Sequence, residues 1–83
     1  MPNNANINKG KIMAKQGANG ITEGVKQVAT GMNQIASGNT KEGTRNITAG
    51  QNKINKGANQ VNNGNQMMAS GAKNALQQQN QQQ

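Results

Sequence analysis

Eighty-three residues allow one small domain, and Asn, Gln, Gly and Ala fill 49 of the positions. Phe, Tyr, Trp, His and Cys are absent and Glu23 and Glu42 are the only acidic side chains. Zinc fingers, haem ligation, thiol nucleophiles and Ser-His-Asp triads are thereby excluded, and two carboxylates argue against calcium cages and glycosidase acid pairs. The chain is therefore expected to be no enzyme, to need no cofactor or metal, and to take no small-molecule substrate. Nine Lys and Arg give it a net charge of +7. That charge predicts attraction to anionic surfaces such as acidic lipid or nucleic acid. The attraction should be weak, non-specific and salt-sensitive, because the charges are dispersed and no aromatic can stack on a base.

The chain begins with the polar stretch Met1-Pro2-Asn3-Asn4, expected to be disordered, and nowhere holds seven consecutive apolar residues. Neither a secretory h-region nor a membrane span is expected, and a Cys-free chain of this kind fits a cytoplasmic location. Asn46-Ile47-Thr48 matches a glycosylation sequon, and with no secretory segment expected the match reads as chance.

From residue 5 onward a period dominates. Gly10, Gly17, Gly24, Gly31 and Gly38 lie seven residues apart, as do Gly43, Gly50, Gly57, Gly64 and Gly71, while Gly20 stands outside both series. Four residues after most of these glycines comes an aliphatic residue or Met: Ile21, Val28, Ile35, Ile47, Ile54, Val61 and Met68. Ala14 and Ala75 hold that place after Gly10 and Gly71. On a helical wheel the glycine and the aliphatic fall within about 40° of each other. Val25, Met32, Ala58 and Ala72 follow directly after their glycines, and Ala29, Ala36, Ala69 and Leu76 sit five places after theirs. These positions extend the apolar arc, and Lys26, Arg45, Lys53, Lys56, Lys73 and Glu23 fall on the other side. A strand would mix Ile54 with Asn52 and Lys56 on one face, so the period is helical.

Each interior glycine costs a helix about 0.5–1 kcal/mol against Ala, so the repeat needs a compensating contact. A row without side chains lets a second backbone come close. The expected seam is Gly17, Gly24, Gly31, Gly50, Gly57 and Gly64, flanked by Ile21, Val28, Ile35, Ile47, Ile54, Val61 and Met68.

Between the two series the spacing shrinks to five residues, from Gly38 to Gly43. In an unbroken helix that would swing the second stripe by roughly 200°, and a turn is simpler. Gly38 suits the left-handed residue that ends a helix, and Asn39 with Glu42 resembles a capping box. The predicted turn therefore comprises Gly38, Asn39, Glu42 and Gly43. The expected fold class is all-α: a hairpin of two long glycine-heptad amphipathic helices, with helix 1 over residues 5–37, a turn at 38–41 and helix 2 over 42–77. A disordered Gln-rich tail at 78–83 follows. Two helices that bury one stripe each make a marginal monomer, so the chain itself is the first expected partner, as a homo-oligomer.

The run from Gly17 through Thr22-Glu23-Gly24-Val25 and Gly31-Met32 to Ser37-Gly38 resembles the glycine-heptad segments in the extracellular helices of phage-infection-protein-like bacterial membrane proteins. Those segments also set Gly and a large aliphatic four and three residues apart, usually with Leu in place of Ile or Val. The resemblance covers the repeat alone, and the flanking membrane spans of that family have no counterpart in this sequence. In composition, the high Gly content, mean hydropathy of −0.97 and lack of Cys and aromatics resemble hydrophilins and late-embryogenesis-abundant stress proteins. The Asn- and Gln-rich makeup is similar to small spore-stored proteins. Three functions follow as expectations. The first is a structural protein that self-associates through its glycine–aliphatic stripes into a bundle or filament. The second is a stress or storage protein that folds on drying, and the third a peripheral binder of anionic membrane. A register kept over ten repeats favours the first, because a disordered protectant has no need of it.

Overall fold

Helices this rich in Gly and Asn do not stand on propensity, so tertiary contact has to hold them. The computed structural model describes residues 2–81. They form an all-α hairpin of two helices, α1 (Pro2–Ala36) and α2 (Thr40–Gln81). The helix starts earlier than the polar first residues imply, because Pro2 has the fixed φ and missing N–H that suit a first helical turn. Met1 lies outside the described residues. At the other end α2 continues past residue 77 to Gln81, since Gln is a fair helix former and no Gly or Pro interrupts the run. Gln82 and Gln83, the rest of the expected disordered tail, lie outside the described residues.

The turn is shorter than the sequence suggested. Gly38 takes φ of +97°, its amide donates to the Ile35 carbonyl at 3.0 Å, and the Asn39 amide donates to the Gln34 carbonyl at 2.8 Å. This pair of bonds is the Schellman arrangement that closes α1. Asn39 is the hinge residue between the helices, because its own carbonyl accepts the Gly43 amide at 2.9 Å and so opens α2. No side-chain hydrogen bond links Asn39 to Glu42 among the described residues. Glu42 instead faces Arg45 at 3.7 Å, an exposed pair one helical turn apart. Glu42 and Gly43 thus belong to the first turn of α2 and not to the loop.

The Cα trace spans 68 × 12 × 12 Å. Two straight helices side by side would be wide in one direction and thin in the other, so the equal cross-section means that they wind about each other. A strict seven-residue repeat demands a left-handed winding. Subtracting a Cα radius of about 2.3 Å for each helix leaves roughly 7–8 Å between the axes. That is closer than the usual 8–10 Å or so, and only glycine permits it.

Candidate association surface

Among the described residues the buried ones are Gly10, Gly17, Gly24, Gly31, Gly43, Gly50, Gly57, Gly64 and Gly71, and every one is a glycine. No apolar side chain is buried among the described residues. The inside of this molecule is backbone.

The glycines meet in antiparallel pairs: Gly10 with Gly64, Gly17 with Gly57, Gly24 with Gly50 and Gly31 with Gly43. A methyl group placed on Gly24 would lie 2.5 Å from the Gly50 carbonyl oxygen, and one on Gly50 would lie 2.6 Å from that of Gly24. The residue four places on covers the facing glycine. Ile54 Cγ1 would stand 2.7 Å from a methyl on Gly24, and Val28 Cγ2 the same distance from one on Gly50. Ile47 covers Gly31, Ile35 covers Gly43, Ile21 covers Gly57, and Met68 covers Gly10 in the same way. The Val61 amide lies beside Gly17, and at Gly64 the cover is only Ala14.

All of the expected seam residues are therefore brought together within one chain. Gly43, expected in the turn, faces Gly31 in the seam, because the loop needs only Ser37, Gly38 and Asn39. Gly10 and Gly71 join the buried row, and Ile7, seven residues before Ala14, is half-buried at the free end. The seven-residue count alone would have found all three.

The flanks depart from the expected arc. Val25 and Met32, read as part of the apolar face, are 53% and 60% exposed, and Ala29, Ala36, Ala58, Ala69, Ala72 and Leu76 are exposed as well. Most of the half-buried places are instead those three and four residues after a heptad glycine, with Ile35, Lys53 and Asn74 as exposed exceptions. In a coil of about 3.5 residues per turn those two places lie symmetrically at about 50° on either side of the glycine. The glycine is the centre of contact, not the edge of an apolar arc.

Because the helices run antiparallel, matching rows of both helices share a side of the rod. On one side the third-place residues meet, most of them polar. Asn46 Nδ2 donates to Gln34 Oε1 at 2.6 Å, and Gln27 Nε2 donates to Asn46 Oδ1 at 3.4 Å. Gln27 Oε1 is buried there without a partner. The opposite side carries the aliphatic row of both helices. Thr22, Thr30, Ser37 and Thr44 turn their hydroxyls back on carbonyls of their own helix and offer no site. An open groove at the free end, lined by Asn6, Asn63, Gln66, Met67 and Ser70, contains no ionisable side chain. No helix among the described residues is long and apolar enough to cross a membrane.

No family model, curated protein or solved structure matches the chain.

Proposed function

We propose that the chain is a non-enzymatic structural protein that associates with copies of itself into a helical bundle. One observation carries this reading: the hairpin uses its glycines to bring two backbones together, yet leaves every Ile and Val only partly covered. Apolar surface in two long parallel rows is unfavourable in water, and a further helical layer would remove it. The net charge of +7 adds weak, non-specific attraction to acidic lipid or nucleic acid, which salt would screen. A Cys-free chain is in keeping with a cytoplasmic setting.

Sedimentation equilibrium and far-UV circular dichroism across a concentration series test the proposal. Mass and helicity are expected to rise together with concentration. A chain that stays monomeric and unfolded in buffer, and gains helix only on drying, would be a protectant instead.

A further inference from the structure

Resting on that self-associating reading, we infer that the surface of association is the aliphatic side of the rod and that its occupant is a second copy lying with its turn at the opposite end. On this side α1 presents Ile21, Val28 and Ile35, and α2 presents Ile47, Ile54 and Val61. All are incompletely covered, and Ile35 is 39% exposed. Val25 and Met32 stand beside them, more exposed still.

Charge picks out the same side. Between Ala14 and Ile35, and between Gly43 and Met68, no residue at the first or fourth place after a heptad glycine is charged. Every Lys, Arg and Glu of those stretches lies on the polar side or the outer backs of the helices. A charge-free strip on a chain of +7 can be buried without stranding an ion.

Size agrees with one partner. The strip covers about 25 residues, or about 38 Å of helix; at about 15 Å across it offers roughly 550 Å² per copy, so two copies together bury about 1,100 Å², past the roughly 1,000 Å² that a specific interface needs. Because α1 and α2 carry the same unit in opposite directions, the strip is self-complementary, as a two-fold interface requires. Direction follows from charge. The free-end half holds Lys9, Lys11, Lys15, Lys56 and Lys73 with no acid, whereas residues 21–53 include both Glu23 and Glu42. Turns at opposite ends lay each basic half over the partner's mixed half. Turns at the same end would stack the two basic halves on each other. The assembly is a closed bundle of four helices.

The test is sedimentation equilibrium of the full chain beside the double variant Val25→Glu with Met32→Glu. Both side chains are exposed in the hairpin, so helicity at low concentration should match the parent. Lys26→Glu makes the same net-charge change on the outer side of α1 and serves as the control. The parent and Lys26→Glu are expected to be dimers, and the double variant should dimerise at least tenfold more weakly. A double variant that dimerises like the parent overturns the assigned face while leaving self-association intact. A parent that is monomeric at every concentration overturns both. A monomeric parent that binds phosphatidylglycerol vesicles through Val25 and Met32 gives the strip to a membrane and also overturns the inference. Larger species without a plateau at two copies would overturn the closed bundle.

Discussion

The half of the rod next to the turn and the half at the free end share one repeating unit but are filled differently. Near the turn, Gly31 and Gly43 face each other under Ile47 and Ile35, and Gly24 and Gly50 under Ile54 and Val28. The amides of Gln27, Asn46 and Gln34 tie the two helices on the other side. Toward the free end, Gly64 is covered by Ala14 and Gly10 by the flexible Met68, and five lysines stand without an acid. Register is therefore set equally in both halves by the glycines, whereas cohesion depends on what covers them. Opening of the hairpin should begin at the free end.

The largest effect that separates the halves is expected from a single methyl group. In Gly31→Ala the new carbon would sit 2.5 Å from the Gly43 carbonyl and 3.0 Å from the Ile47 amide, both backbone. The turn prevents the helices from spreading there, so a loss of about 2–3 kcal/mol is expected despite the better helix propensity of Ala. Gly10→Ala meets the Gly64 carbonyl at the same distance, but near an end that can part, and should cost about 1 kcal/mol. Urea denaturation of both variants measures the difference. Equal losses would mean that the two halves open as one unit.

Next in size is a substitution that should erase part of the contrast. Ala14 is the one covering position of the first four units without a branched side chain. Ala14→Ile should stabilise the free half by about 1 kcal/mol through partly buried methylene groups. Hydrogen exchange of the amides near Gly64 would slow if the cover is what that half lacks. Unchanged exchange would point to charge repulsion instead.

Gly20 supplies a smaller test of opposite sign. It lies in the free half but outside the seven-residue series, and a methyl there would meet only Gly57 Cα at 3.7 Å and the Lys53 carbonyl at 3.8 Å. Those are ordinary contacts, so Gly20→Ala should raise stability by about 0.5–1 kcal/mol. Thermal unfolding beside Gly31→Ala would show two glycine-to-alanine changes of opposite sign in one helix. A loss at Gly20 would mean that the helices approach more closely than the paired glycines imply.

How much of this was legible before the fold was seen follows from the same residues. The glycine count gave the helices, the turn at Gly38 and the glycine–aliphatic seam, because a glycine in every heptad of a helix points to a close backbone contact, but it left open whether the stripes pair within one chain or between chains. It did not give how the contact face spreads on either side of the glycines. A hydrophobic wheel weights Val25, Met32 and Ala29 and so draws the seam toward them. A backbone-to-backbone contact centres instead on the smallest side chain, which brings Gln27 and Asn46 partly inside and leaves Val25 and Met32 outside. Gly43 reads as a turn residue for a related reason: the short spacing after Gly38 hides the fact that Ser37, Gly38 and Asn39 suffice to reverse the chain.

The smallest expected effect concerns charge, and it separates the halves by sign. Lys56 stands one helical turn after Lys53 on exposed surface, in the part of the rod where acids are lacking. Lys56→Glu turns a like-charge neighbour pair into an opposite one and should stabilise the hairpin by about 0.3 kcal/mol at low salt. Arg45→Glu in the turn half does the reverse, since Arg45 already faces Glu42 at 3.7 Å, and should destabilise by a similar amount. Both shifts should fade in about 1 M salt, where screening acts within about 3 Å. Melting temperatures of the two variants at low and high salt decide the matter. If both moved stability in the same direction at low salt, the free half would owe its weakness to the thin cover at Gly64 and Gly10 and not to its unbalanced lysines.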